Sequence, residues 1–260
     1  EAIGVGERLE EAGCPIESIR VSDGLDPGVL TFDPPAGDDP LGMMFENRLL
    51  RASLRETASA AERVRLLMPA RPGEVVRDAD GVRVALEDGR LLAAPLLVGA
   101  EGRGSPIREA AHIPLAQWRY EHVAIVATVA HERSHENVAY EIFYPDGPFA
   151  ILPMAQGEEG RPRSAIVWSV PAADGAAVSG LPDRALAHEI EKRMGGFLGP
   201  VALAGPRWSY PLGFHHAAKA ALEHELVAAA GEVEDGVGLR GDRLGREVEA
   251  VLAGTAFEDI

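Results

Sequence analysis

A glycine-rich turn between residues 96 and 109 carries the clearest chemical signal in this sequence. An apolar run ends at Val98. Ser105 and Pro106 then favour the start of a helix, because a serine hydroxyl can accept a hydrogen bond from a free backbone amide and proline has no N–H. Between them, three residues favour a tight and open turn: Gly99, Gly102 and Gly104. This unit can bring backbone amides close to an anion such as a phosphate, although an ordinary strand-to-helix turn of an α/β domain has the same pattern.

Two histidines, His131 and His135, are four residues apart, which on a helix would place two metal ligands on one face. They flank Glu132 and Arg133 in a predicted turn, and the sequence offers no obvious third ligand. We therefore predict a surface loop here and no metal site. We also nominate no catalytic side chain.

Aromatic residues on predicted strands could face a bound ligand. Tyr140, Phe143 and Trp168 lie in such positions, but ordinary core packing explains them equally well. His215 and His216 could line a pocket, but at most one could contact a ligand because adjacent residues point in different directions, and we favour a position on the polar surface.

Composition excludes some classes of function. The net charge of −16 disfavours a nucleic-acid partner, which would need clustered Lys and Arg. The single cysteine, Cys14, excludes an internal disulfide. Because no run approaches the roughly 18 apolar residues of a membrane-spanning helix, we predict a cytoplasmic chain that is soluble or peripheral to a membrane. The sequence leaves the oligomeric state open.

The elements that position the glycine turn lie in a first region, residues 1–115. Leucines and alanines at helical spacing predict a helix from Asn47, as its N-cap, to about Glu62. Asp80-Gly81 and Asp88-Gly89 are hairpin signals. They separate short β-type runs that predict an antiparallel meander leading into the turn: residues 64–68, 74–77, 81–86 and 91–98.

A second region, residues 116–216, is mostly β-type. An amphipathic helix is predicted after Pro182, ending at Gly195-Gly196. The predicted strands form an antiparallel sheet: residues 122–130, 138–144, 149–153 and 165–170, with a further strand at 207–212. The remaining region, 217–260, is rich in Ala, Glu and Gly, and we predict helices over 219–230 and 242–253.

Several stretches together resemble the UbiH-type FAD-dependent hydroxylases of ubiquinone biosynthesis, which belong to the flavin monooxygenases with the p-hydroxybenzoate hydroxylase fold. The resemblance covers roughly residues 1–219 and depends on the order and spacing of the motifs. They are Phe45-Glu46-Asn47-Arg48, residues 97–109, Ala124–Val129, Phe149–Pro153 and Arg207–Leu212.

This resemblance implies an α+β chain of α/β origin, with a partial FAD-binding, Rossmann-like region that includes the meander and an antiparallel-sheet substrate region. It also implies FAD as cofactor, NAD(P)H as electron donor, and dioxygen-dependent hydroxylation of an aromatic small molecule. The cofactor-binding residues that it implies are Arg48, Arg51, Glu101, Gly102 and Arg103. Arginine is suited to phosphate or ring-edge hydrogen bonds, but Arg48 and Arg51 could equally pair with nearby glutamates.

The sequence also departs from the family pattern. The N-terminal Gly-x-Gly-x-x-Gly that holds the FAD pyrophosphate, expected ahead of residue 1, is not in this sequence, and neither is the later Gly-Asp motif. We interpret the Gly-Asp within Arg240-Gly241-Asp242 as coincidence. Glu101 stands where the family has Asp. The alternative hypothesis is therefore a catalytically incompetent fragment or altered copy that binds a ligand or a partner.

Overall fold

The computed structural model describes residues 3–9, 12–26, 28–157, 160–218, 221–222, 225–227 and 250–253. Its elements up to residue 110 are α1 (Gly6–Leu9), β1 (Cys14–Ile16), β2 (Ser18–Asp23), β3 (Val29–Phe32), β4 (Gly42–Met44), α2 (Asn47–Ala60), β5 (Val64–Leu67), β6 (Pro72–Asp78), β7 (Gly81–Leu86), β8 (Leu91–Ala94), β9 (Leu97–Gly99) and α3 (Pro106–Ala110). The later elements are β10 (Leu115–His131), β11 (Val138–Tyr144), β12 (Gly147–Met154), β13 (Arg163–Pro171), α4 (Ala172–Ser179), α5 (Asp183–Arg193), β14 (Val201–Ala217), β15 (Ala221–Leu222), β16 (Glu225–Val227) and β17 (Ala250–Ala253). This mixture of many strands and few helices confirms the expected α+β class.

The chain forms two compact units, each made of two separate stretches of sequence. The first unit comprises residues 1–53 and 119–213, and the second comprises residues 54–118 and 214–260. The functional division expected from the sequence, into 1–115, 116–216 and 217–260, stays a prediction.

The largest sheet has seven strands in the order β14-β10-β13-β12-β11-β2-β3. β10, β13, β12 and β11 pair antiparallel with one another, which confirms the sheet predicted from residues 122–170. The sequence did not indicate that β2 pairs in parallel with β11, because this pairing joins segments about 120 residues apart. The hairpin of β2 and β3 thus extends the sheet.

Helices α4 and α5 belong to the main core of the first unit, which lies on one face of this sheet. Trp168 lies in this core and Tyr140 packs against it, so core packing accounts for both aromatics. Phe149 and Ile151 are completely buried there, and burial of each such side chain stabilises the fold by about 1.5–3 kcal/mol. Phe143 projects from the opposite face and is 49% exposed.

Helix α5 confirms the amphipathic helix predicted after Pro182. Leu186, Ile190 and Met194 are spaced by four residues and are all nearly inaccessible to solvent. The helix gives way to Gly195, whose φ of +67° is in the region that favours glycine. Helix α4 was not predicted, because its alanines carry little periodic hydrophobic signal.

The second unit contains the three-stranded antiparallel sheet β6-β7-β8. Its hairpins are at the two Asp-Gly pairs, as predicted. The expected single strand over 91–98 is wrong, because β8 ends at Ala94 and β9 begins at Leu97 in a different sheet. Pro95 lies between them and has no N–H for a strand ladder. The buried side chains of this unit's main cluster are Leu67, Ala70, Val82, Val84 and Leu86.

The tail contains strands where we expected helices. Described residues 221–222 and 225–227 form an antiparallel pair, and 225–227 also pairs in parallel with β9. Residues 250–253 pair in parallel with β5. Pairing with distant strands therefore overrides the helical propensity of this alanine- and glutamate-rich segment at these positions. The rest of both predicted helices, and the Arg240-Gly241-Asp242 triplet, lie outside the described residues.

Candidate cofactor-binding loop

The predicted strand, glycine turn and helix are present as β9, residues 100–105 and α3. Ser105 is the N-cap of α3, and its hydroxyl oxygen accepts a hydrogen bond from the Arg108 amide at 3.1 Å. Pro106 occupies the first turn, as expected. Because α3 has only five residues, its first turn is nearly the whole helix and its dipole is small. The ligand-binding capacity of this loop must therefore come from its backbone and from the side chains around Gly102.

The glycines of the loop serve two purposes. A Cβ at Gly99 would lie 3.0 Å from Ile107 Cγ2, so this glycine lets the strand pack closely against the helix. Gly102 has a φ of +85°, and a Cβ there or at Gly104 would meet no atom within 4 Å. The backbone at 102–104 is therefore open to close approach by a ligand, as a nucleotide-binding turn requires.

Glu101 and Arg103 both lie on the exposed part of the loop but have different surroundings. A Glu101 carboxylate oxygen accepts a short hydrogen bond from the Ser105 hydroxyl, and Ser105 is itself buried. Glu101 thus fixes the N-cap of α3. Within the described part of the chain, Arg103 makes no hydrogen bond or ion pair, so its guanidinium can bind an anion.

A third charged residue, Arg108, was missed at the level of sequence. It is only 9% exposed, and its guanidinium donates to the Ile113 carbonyl at 3.1 Å and to a Glu109 carboxylate oxygen at 3.3 Å. These bonds brace the residues that follow α3. An arginine in a short polar helix is normally expected on the surface, so the sequence did not indicate that Arg108 is buried.

The other two predicted site residues, Arg48 and Arg51, lie on α2. This helix begins at Asn47, and the Glu46 carbonyl accepts hydrogen bonds from the Leu49 and Leu50 amides, so the predicted cap is displaced by one residue.

The Glu46 carboxylate lies between two arginines. It accepts from Arg48 Nε at 2.7 Å and from Arg163 Nη2 at 3.0 Å. Burial by itself would raise the pKa of Glu46, but these hydrogen bonds and charges outweigh burial, and its pKa is lowered. Arg48 remains 71% exposed, so it can bind a ligand while paired.

The site residues fall in both units: Arg48 and Arg51 in the first, and Glu101, Gly102 and Arg103 in the second. Their contact with a cofactor stays a prediction.

The surface loop predicted for His131 and His135 is wrong, because the two side chains are only 3% and 8% exposed. Their hydrogen bonds indicate neutral rings. His131 donates through Nδ1 to the Arg133 carbonyl at 2.7 Å and accepts at Nε2 from Ser164 at 3.0 Å. His135 donates through Nε2 to the Met154 carbonyl and accepts at Nδ1 from a backbone amide. Burial lowers the pKa of both histidines. No group of three or more potential metal ligands occurs among the described residues.

No family model matches the chain. Ubiquinone hydroxylase UbiL of Rhodospirillum rubrum is 40% identical to it over 256 residues, which are 97% of this chain and 58% of that protein. The similarity therefore continues past residue 219 into the tail. Ubiquinone biosynthesis monooxygenase COQ6 of Danio rerio is 30% identical over 64% of this chain and 36% of its own length. The chain thus spans less than three fifths of the UbiL sequence and about a third of COQ6.

Solved structures of flavin-dependent enzymes have the same fold. PqsL, a probable FAD-dependent monooxygenase from Pseudomonas aeruginosa, superimposes with a TM-score of 0.68 at 18% identity, over 85% of this chain and 62% of PqsL. The flavin-dependent monooxygenase PieE, solved with FAD and substrate, gives a TM-score of 0.66 at 16% identity, over 86% of this chain and 42% of PieE. The chain is therefore similar in sequence to the ubiquinone hydroxylases and shares the fold of the FAD-dependent monooxygenases, which confirms the resemblance found in its motifs.

Proposed function

We propose that this chain is part of an FAD-dependent monooxygenase that hydroxylates an aromatic ring, that of a ubiquinone precursor, with NAD(P)H and dioxygen. The observation that carries the proposal is the open backbone at Gly102 and Gly104 beside the guanidinium of Arg103, which has no partner among the described residues. The similarity to UbiL and COQ6 supports the choice of substrate. FAD, when bound, supplies the redox chemistry, and the protein supplies binding, orientation and exclusion of water.

Each residue of the loop has a role in this proposal. Arg103 donates hydrogen bonds to oxygens of the dinucleotide, since a guanidinium matches phosphate geometry. Gly102 lets the cofactor approach the backbone, because a side chain at this position would lie between the two. Glu101 keeps the loop in shape through Ser105. Arg48 and Arg51 are the proposed cofactor contacts from α2.

The alternative remains a catalytically incompetent fragment or altered copy that binds a ligand or a partner. The observation that favours it is the Glu101 carboxylate, which bonds within the loop instead of projecting from it. A protein of this kind would not retain FAD.

A binding experiment separates the two functions. The purified chain is mixed with excess FAD, passed through gel filtration, and examined for a flavin absorption spectrum. We expect retained flavin, and we expect Arg103→Ala to weaken FAD binding by roughly tenfold or more because a charge-assisted hydrogen bond is lost. Arg184→Ala, on the exposed face of α5, is the matched control and should bind FAD like the wild type. A colourless wild-type protein would refute the hydroxylase proposal for this chain.

The proposal extends to location: the chain works in the cytoplasm, in peripheral contact with a membrane. Among the described residues, no helix is long and apolar enough to cross a membrane.

A further inference from the structure

The seven-stranded sheet has a second face, opposite α4 and α5, that is apolar at its centre. Successive residues of a strand point to opposite faces. Since Tyr140 and Ile142 pack in or against the helix-covered core, Glu141 between them projects to the second face. Strand register places it in a row of five side chains that crosses β2, β11, β12, β13 and β10: Val21, Glu141, Ala150, Val167 and Val126.

The rows on either side continue this surface. Along β11 itself, Ala139 on one side of Glu141 is only 4% exposed and Phe143 on the other side is 49% exposed. Glu141, with intermediate exposure, therefore lies between a covered and an open position of this strand. The neighbouring residues on the strands are mostly small or apolar: Ile19, Ala139, Leu152, Ala165 and Thr128 in one row, and Asp23, Phe143, Pro148, Ser169 and Ala124 in the other.

Glu141 is the anomaly on this surface. Within the described residues it makes no hydrogen bond or ion pair. Burial, the sole cause, raises the pKa of its carboxyl. Arg163, a cation of the same face, is already bonded to Glu46, and Asp23 in the next row is an anion. A partly buried carboxylate without a partner destabilises the fold, so a residue of this kind is typical of a binding site whose ligand completes its hydrogen bonds.

We propose that Glu141 binds the hydroxyl group of an aromatic substrate whose ring lies against the row from Val21 to Val126. This inference rests on the proposed function and defines its substrate more closely: a ring with apolar substituents and a free hydroxyl. The valine and alanine side chains of the row contact the ring. A carboxylate oxygen of Glu141 accepts a hydrogen bond that the hydroxyl group of the substrate donates. Glu141 is thus a specificity-determining residue.

The test compares a phenol with its methyl ether, which keeps the ring, its alkyl group and the oxygen but has no hydrogen-bond donor. Binding of 4-ethylphenol and of 4-methoxy-ethylbenzene to the full chain is measured by isothermal titration calorimetry. We expect the wild type to prefer the phenol by about tenfold or more, as for a hydrogen bond to a charged group. Glu141→Leu should bind both equally, and Glu141→Gln, which keeps an acceptor oxygen, should keep part of the preference.

Asp23→Asn is the matched control, because it removes the same charge from the next row of the same face, and it should keep the full preference. Thermal unfolding provides a second readout. Glu141→Leu should melt at a temperature no lower than the wild type, since it removes an unpaired carboxylate; a purely structural glutamate would give the opposite result.

The inference is overturned if the wild type shows no preference for the phenol, or if Glu141→Leu retains it. The FAD experiment above distinguishes this failure from failure of the proposed function. Flavin retention without phenol preference removes the role of Glu141 and leaves the hydroxylase. Phenol preference that depends on Glu141 without flavin retention leaves a ligand-binding face and removes the hydroxylase.

Discussion

Residues close in sequence were easier to interpret than residues that meet through the fold. The roles of Ser105 and Pro106 could be predicted because a helix cap depends on residues that are adjacent in sequence. The pairing of Glu46 with Arg163 could not be predicted, since 117 residues separate them. Arg108 was missed although its hydrogen bonds to Glu109 and Ile113 are local, because arginine is seldom buried and no residue type near it indicates burial.

The histidine pair illustrates the same limit and leads to a prediction about pH. Burial of His131 and His135 lowers both pKa values below the ordinary 6.5. As the pH falls below about 6.5, the unfolded chain therefore takes up protons that the folded chain resists. The free energy of unfolding should decrease with falling pH through this range, until the folded-state pKa values are reached.

Urea unfolding at a series of pH values from 8 to 5 measures this effect. His135→Gln should flatten the dependence of stability on pH, because it removes one group whose pKa differs between the two states. His188→Gln, at an exposed position of α5, is the control for the same substitution outside the buried pair. An unaltered slope in His135→Gln would show that the buried pair does not contribute.

Elements were predictable where their own sequence determined them. The hairpins at Asp80-Gly81 and Asp88-Gly89 and the helix α5 follow from turn chemistry and hydrophobic spacing. Strand β14 was predicted only over 207–212 but spans Val201–Ala217, with two prolines inside it. It is the first strand of its sheet, where a missing N–H is tolerated. Sheet position, which short patterns do not contain, thus decided its length.

One hairpin gives a prediction at the scale of elements. Gly147, at the start of β12, has a φ of +133°, and a Cβ there would lie 2.7 Å from the Ser169 carbonyl oxygen of β13. Gly147→Ala should therefore lower the free energy of unfolding by about 2 kcal/mol or more, through backbone strain and the displaced neighbour.

Chemical denaturation of the variant measures this loss. Gly205→Ala, in β14, is the matched control, because its Cβ would meet no atom within 4 Å and its φ is negative or extended. Its stability should change by less than about 0.5 kcal/mol. Equal stability of Gly147→Ala and the wild type would contradict the described turn.

At the scale of the molecule, the described parts of the two units differ in the size of their main hydrophobic clusters. Among the described residues, the main cluster of the first unit contains twelve buried residues and that of the second contains five. A smaller apolar core gives a smaller free energy of opening. We therefore expect amides of β12 and β13 to exchange with solvent only through global unfolding, and amides of β6–β8 to exchange through a less costly opening.

Native-state hydrogen exchange, followed by mass spectrometry of peptides or by NMR, measures both rates in one sample. The ranking should hold at several low concentrations of denaturant. Protection of β6–β8 equal to that of β12 would indicate that the two units unfold together.

Strand β3 has a consequence for the colloidal behaviour of the protein. It is the last strand of the seven-stranded order, and all four of its residues are exposed, including Val29, Leu30 and Phe32. An exposed apolar edge strand of this kind can pair with the same edge strand of another molecule. The acidic residues Asp26 and Asp33 beside it, and the net charge of −16, repel such an encounter at low ionic strength. The protein in concentrated solution should therefore aggregate sooner as salt is added, since dissolved ions screen the repulsion that keeps these edge strands apart.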